Sequence, residues 1–255
     1  KAIRRQRQMC IRDRYGIDLY HKLRLSELLR DLNEIPALTW IRILYCYPES
    51  FSDELIETMA QCKKVCHYVD LPLQHASNSL LKTMRRRDTR EQVEMLLAKL
   101  RNRMPDICLR TTFIVGFPGE TEAQFEELLD FAQKEHFQCA GVFTYSQEEE
   151  TEAGAMKNQI DEATKQERYH RLMALQAKIS EEIQQEREGK VLTVLVEGHD
   201  EKNPDLAVAR SYAEAPDIDG KIFIEGAKGL RVGDFVNVQI DQGFTYEAVS
   251  HLVKE

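Results

Sequence analysis

The stretch RTTFIVGFPGETEAQF (Arg110–Phe125) decides how this 255-residue chain is read. Thr111 to Val115 is β-branched and aromatic, which favours an extended strand. Gly116, Pro118 and Gly119 then punctuate the chain as a turn. Thr121 is an N-cap type, and Phe125, Leu128, Leu129 and Phe131 follow near one face of a helix. Strand, turn and helix in so short a span make a βα unit. The stretch LPLQHASNSLLKTMRRR (Leu71–Arg87) repeats the grammar. An apolar run stops at a cluster of small polar groups, and a short helical pattern follows.

Working outward, residues 26–32 carry a helical pattern. Trp40–Pro48 reads as a strand, and the segment after Ser52 reads as a helix capped by that serine. Val65–Leu73 is a strand, 77–87 a short helix, and Asp88 is expected to cap a helix over 89–103. Strands over 107–117 and 139–146 flank the helix that begins at Thr121. Four strands alternating with helices predict a parallel α/β sheet. Residues 150–160 are turn-like. A charged helix over 161–188 has an apolar stripe at Leu172, Leu175, Ile179 and Ile183, and Gly189 ends it. Beyond it, five short alternating strands predict a small all-β barrel or sandwich. The expected organisation is 15–160 as the α/β core, 161–189 as a connecting helix and 190–255 as the β module.

Residues 1–14 (KAIRRQRQMCIRDR) are basic and aperiodic. Gln8–Arg14 resembles the translation of a transposon-end oligonucleotide, so the segment reads as foreign sequence, with a nucleic-acid-binding arm as the alternative. Charged residues make up 31% and the net charge is −8, which argues against a protein that coats nucleic acid by bulk electrostatics. No apolar run is long enough to span a bilayer, and the scattered cysteines at 10, 46, 62, 66, 108 and 139 suit a reducing cytoplasm. The one close pair, Cys62 and Cys66, has no second pair to complete a zinc site and reads as packing or surface.

In parallel α/β folds ligands sit at the carboxyl ends of strands. Polar groups follow each expected strand here. Tyr45 and Tyr47 follow the first, Gln74, His75 and Ser77 the second, Gly116 to Glu120 the third, and Tyr145 and Ser146 the fourth. The Gly116 turn reads either as an ordinary strand-to-helix connection or as a ligand loop. It lacks the Gly-Lys-Ser/Thr ending of a P-loop. His75 reads either as a hydrogen-bonded loop histidine or as part of the site. Arg85, Arg86 and Arg87 read as a solvated basic face or as a contact for an acidic partner.

YGIDLY (15–20), WIRILYCYPE (40–49), VDLPLQHASNSLLKTMRRR (69–87), LRTTFIVGFPGETE (109–122) and FTYSQEEETEAG (143–154) together resemble the second half of a radical S-adenosylmethionine methylthiotransferase. The closing module resembles a TRAM domain. The resemblance implies a partial radical SAM (βα) barrel, about four of six units, followed by an OB-like TRAM barrel. The implied cofactors are S-adenosylmethionine and two four-iron four-sulfur clusters.

Such clusters need thiolates, and the family's CxxxCxxC is not present: Cys62-x-x-x-Cys66 meets Val69 where the third cysteine would stand. These residues are therefore expected to ligate no cluster and to be inactive as a fragment. The resemblance places Gln74, His75 and Ser77 near the ribose and amino-acid part of S-adenosylmethionine. It sets Arg110 and Thr112 on the next strand, with Arg110 toward a carboxylate, the Ile114–Gly116 backbone near adenine, and Tyr145 at the last strand end. No catalytic residue is assigned. Glu148, Arg85 and Arg86 are the substrate-side candidates.

One branch of the family modifies an adenosine of transfer RNA, and another modifies an aspartate of ribosomal protein S-twelve. Three features favour the second. Glu148 stands where the transfer-RNA branch usually has Arg. RSYAEAPDIDG (Arg210–Gly220) resembles the module of the ribosomal-protein branch. From Glu188 to Glu255 there are 13 acidic against 7 basic residues, a net of −6, which suits a basic protein better than RNA. Glu150 departs from a family position that is often Gly. A stand-alone TRAM binding module is the non-enzyme alternative.

Overall fold

The computed structural model describes residues 15–253; the foreign or nucleic-acid-binding segment expected over 1–14 lies outside them. The described chain divides into two compact units, one ending at Ala174 and the other starting at Leu175.

The first unit opens with helices α1 (Ile17–Tyr20) and α2 (Leu25–Asn33). A 3₁₀ turn (Pro48–Ser50) precedes α3 (Asp53–Gln61), which Ser52 caps by accepting the Leu55 N–H at 3.1 Å. Strand β1 (Tyr68–Gln74) leads into α4 (Asn78–Thr83) and α5 (Arg90–Arg103). Strand β2 (Cys108–Val115), α6 (Glu122–Glu135) and β3 (Cys139–Thr144) follow. The sheet is parallel in the order β1-β2-β3, with Asp70 beside Arg110 and Thr112 beside Gly141. Parallel neighbours require crossover connections, which α4–α5 and α6 supply. On one face of β2, Leu109, Thr111, Phe113 and Val115 are buried. There the Phe113 ring meets Phe131 and Phe137 edge-on, at centroid distances of 6.4 and 5.9 Å. Arg110, Thr112 and Ile114 occupy the other face and are only half-buried.

Three expectations need correction. Trp40–Pro48 is not a strand. It makes an isolated bridge, Ile41 to Val65, and a bond from Cys46 N–H to Asp70 O at 2.9 Å. Tyr45 adopts φ 57°, which breaks the extended run and prevents a continuous ladder. Asp88 does not cap α5. Thr89 does, in a reciprocal capping box with Gln92, while Asp88 lies 3.7 Å from Arg86. The helix expected over 77–87 ends at Thr83, and Arg85 at φ 57° turns the chain away.

Helix α7 (Glu162–Gln185) crosses the boundary between the units. The second unit is the expected barrel, closed in the order β4 (Val191–His199), β5 (Ala207–Arg210), β6 (Ile222–Glu225), β8 (Ala248–Leu252), β7 (Phe235–Gly243). Only β6 and β8 run parallel. Inward residues alternate along each strand and form one small-residue core of Val194, Val196, Ala207, Ala209, Ile222, Ile224, Val238 and Ile240, among others. Closure leaves no free edge in this sheet. No helix among the described residues is long and apolar enough to cross a membrane.

Candidate functional site

The rim of the three-stranded sheet gathers most of the residues the sequence singled out. At the end of β1, Gln74 adopts φ 72° and turns the chain out of the ladder. His75 and Ser77 follow, each 2–3% exposed. The Ser77 N–H donates to His75 Nδ1 at 3.0 Å, so the neutral ring carries its proton on Nε2. Burial, aided by the nearby Arg168 charge, pushes the His75 pKa down to about 3. His75 is therefore a hydrogen-bond donor at neutral pH, not a cation or a base. Its Nε2 and the Gln74 Oε1 are both buried with no partner among the described residues. Two adjacent orphans of opposite polarity suit a ligand that both accepts and donates.

Beside them, Gly116 ends β2 at φ 73°, and a Cβ there would lie 2.3 Å from Lys165 Cγ. Both the conformation and the close approach demand glycine. Tyr145 joins the rim through its N–H, which donates to Val115 O at 2.9 Å. Its ring lies 5.2 Å from that of Phe117.

The remaining candidates lie elsewhere. Arg110 is six residues before Gly116, roughly 20 Å down the strand at the usual rise, and its Nη1 sits 3.2 Å from the buried Asp70 carboxylate. It is not at the strand ends. Arg110, Thr112 and Ile114 instead line the half-buried sheet face, alongside Gly141 and the largely exposed Phe143. Arg86 is not a solvated charge. Its Nη2 donates to Pro72 O at 2.8 Å and its guanidinium lies 5.1 Å over the Tyr47 ring. Arg85 is exposed and pairs with Glu152. Glu148 is exposed, accepts from Ser146 Oγ at 2.9 Å, and lines a cleft of about 720 Å³ with Glu149, Glu150 and Glu152. Glu150 adopts φ 63°, a conformation in which glycine is the unstrained choice.

Two residues at the rim escaped the sequence reading, Lys165 and Arg168, and they act with Glu120, the last residue of the polar cluster after β2. Glu120 Oε2 accepts the N–H groups of Gly116 (2.5 Å) and Phe117 (3.1 Å). Its Oε1 accepts from Arg168 Nη1 at 3.2 Å, and both side chains are at most 5% exposed. Burial raises the Glu120 carboxyl pKa, with Arg168 and the two N–H donors opposing. Lys165 packs its stem on Gly116 and holds its ammonium 5.6 Å over the Tyr145 ring. The missed signal was helical spacing. Lys165 and Arg168 fall on the same face as Leu172, Gln176 and Ile179, all buried.

The donor set does not fit an iron–sulfur cluster. Among the described residues no three His, Cys, Asp or Glu side chains gather where a metal could bind. Cys62 and Cys66 are buried beneath α3, and burial raises the Cys62 thiol pKa. The rim fits an S-adenosyl ligand better, on its orphaned donor and acceptor.

Residues 15–132 match the radical SAM superfamily model and residues 189–253 the TRAM domain model. Coproporphyrinogen III oxidase from Escherichia coli, a radical SAM enzyme, superposes with a TM-score of 0.50 at 17% identity. That match covers 61% of this chain and 36% of the oxidase, and it speaks to fold alone. The chain is thus a radical SAM protein with a TRAM domain. Over 94% of its length it is 48% identical to the ribosomal protein uS12 methylthiotransferase RimO of Desulforamulus reducens and 47% identical to that of Heliobacterium modesticaldum. It belongs to the radical SAM methylthiotransferase family, in the RimO group. It spans about half of these relatives, 54% and 52% of their lengths.

Proposed function

We propose that these residues are the S-adenosylmethionine-facing half of the radical core, plus the TRAM domain, of a cytoplasmic enzyme that methylthiolates uS12 at an aspartate β-carbon. The observation that carries this reading is the 48% identity to a RimO protein over 94% of the chain. The orphaned Gln74 Oε1 and His75 Nε2 at the rim support it. When bound with a reduced cluster, S-adenosylmethionine supplies a carbon radical able to take hydrogen from an unactivated carbon. This chain's own part is to hold that molecule. His75 donates from Nε2 and Gln74 accepts on Oε1. Thr112 and Ile114 lie on the half-buried face of the strand that leads to the turn, and Arg110 is engaged with Asp70 lower on the same face. The thiolates for the clusters come from outside these 255 residues, so the chain alone transfers no methylthio group.

The TRAM barrel is the partner-binding element in this reading. With a net of −6 from Glu188 to Glu255 it favours a basic protein over a phosphate backbone. Part of that charge is internal, since Glu214 pairs with Arg187, and Glu197 with Arg210.

The test is a chimera in which residues 15–255 replace the matching half of the Desulforamulus reducens relative, reconstituted anaerobically and given uS12. The expected result is uS12 heavier by one methylthio group, with the modification mapped to an aspartate. A chimera that holds its clusters and cleaves S-adenosylmethionine but modifies a transfer-RNA adenosine would overturn the substrate assignment.

A further inference from the structure

The turn that closes β2 is held from a distant part of the chain. Its Gly116 and Phe117 N–H groups both point to Glu120 Oε2. Arg168 Nη1 reaches the other carboxylate oxygen at 3.2 Å and the Glu120 carbonyl at 3.1 Å. The Lys165 stem fills the space beside the Gly116 Cα. Asn158 accepts the Gly119 N–H on its carbonyl at 2.9 Å, and its side chain occupies the place of a Gly119 Cβ. Segment 158–168 thus grips a five-residue turn at three points, and the turn follows the strand that pairs with the one ending in Gln74.

A buried ion pair is a poor source of net stability, because desolvation offsets most of its attraction. This pair is built for geometry instead. One carboxylate oxygen accepts two consecutive amides of the turn, and the guanidinium holds the other carboxylate oxygen together with the Glu120 backbone carbonyl. Arg168 Nε, by contrast, is buried with no partner among the described residues, so the arginine is not there to saturate hydrogen bonds. Its place next to His75 puts the same residue beside both halves of the rim.

We propose that Arg168 is a positioning residue: acting through Glu120, it fixes the Gly116–Phe117 backbone in the conformation that receives the S-adenosyl ligand. This rests on the reading of the rim as the S-adenosylmethionine pocket. Arg168 itself touches no reacting atom.

Amide hydrogen exchange on the whole chain tests the proposal directly, with calorimetric titration of S-adenosylhomocysteine as the second readout. In Arg168→Met, exchange at the Gly116 and Phe117 amides should accelerate at least tenfold, while amides of β4 to β8 stay unchanged. Affinity for S-adenosylhomocysteine should fall at least tenfold, and Arg168→Lys should recover part of both effects. Glu120→Gln combined with Arg168→Met should be no worse than the worse single variant, because the two act as a unit. Unchanged exchange at Gly116 and Phe117, or effects of the two substitutions that add, would overturn it. If Arg168→Met fails to fold, the milder Arg168→Lys must still show the local acceleration, or the proposal fails. A wild-type chain that binds no S-adenosylhomocysteine would instead count against the pocket, leaving the exchange data to decide the role of Arg168.

Discussion

Two buried carboxylate–arginine pairs, one in each unit, have the same chemistry and opposite electrostatic character. In the barrel, Glu214 accepts from Arg187 at 2.7 Å, from the Ser211 N–H at 2.7 Å and from the Ser211 hydroxyl at 2.6 Å. Burial would raise its pKa, but Arg187 and the serine donors outweigh it and hold the carboxyl below the ordinary range. In the α/β unit, Glu120 has one arginine contact and two backbone donors, and there burial wins. Each carboxylate has one arginine and two further donors, so their number does not separate the pairs; the rim pair belongs to the strand-end rim that also holds the orphaned atoms of Gln74 and His75, where a site trades stability for arrangement. Location, not residue type, separates the two.

The comparison is broken most forcefully at Arg187. Arg187→Met leaves Glu214 buried without its cation, and should cost the barrel about 3–5 kcal/mol, read from denaturant midpoints of barrel amide exchange. If the barrel pair proved as dispensable as the rim pair, the contrast would collapse. Glu120→Gln should cost less, about 1–2 kcal/mol for imperfectly replaced hydrogen bonds, and most of its effect should be confined to the Gly116 turn.

Acid separates the pairs further. Glu214, with a lowered folded pKa, stabilises the barrel above the ordinary carboxylate range, and that contribution is lost as pH falls through its folded pKa. Glu120, with a raised folded pKa, acts oppositely: its penalty is present at higher pH and eases as the folded state takes up a proton. His75 adds a third signature. The unfolded ring binds a proton near pH 6.5 and the folded one only near pH 3, so the α/β unit loses stability as pH drops below about 6.5. His75→Gln should flatten that decline in the α/β unit, and Glu214→Gln should flatten the one in the barrel. Exchange protection followed against pH, unit by unit, checks both.

The smallest expected effects are at the helix caps. Thr89→Ala and Thr121→Ala each break a capping box and should each cost about 1 kcal/mol, measured by thermal melts. Only Thr121→Ala, next to Glu120, should also loosen the Gly116 turn.

The parts legible in the sequence were those set by local pattern. β2, α6 and the five barrel strands follow from alternation, caps and glycines, and the polar rim follows from where apolar runs stop. Trp40–Pro48 misled because strand-forming residues cannot report the φ of 57° at Tyr45. The pairing of Arg110 with Asp70 was not legible, because the two stand forty positions apart on neighbouring strands and register is a property of the fold. Lys165 and Arg168 looked like part of a solvated helix face, since charged residues usually mark the exposed side. Only packing against the Gly116 turn shows that the buried stripe of α7 begins with them. Arg86 was missed as a clamp for the same reason: a run of three arginines conceals which one is bonded.

The most direct test of the central claim is a nuclear magnetic resonance titration of the chain with S-adenosylhomocysteine. Saturable shifts at Gln74, His75, Ser77, Gly116 and Tyr145, with the barrel amides silent, are the expected result. Shifts confined to the barrel, or none at these five positions at millimolar ligand, would contradict it.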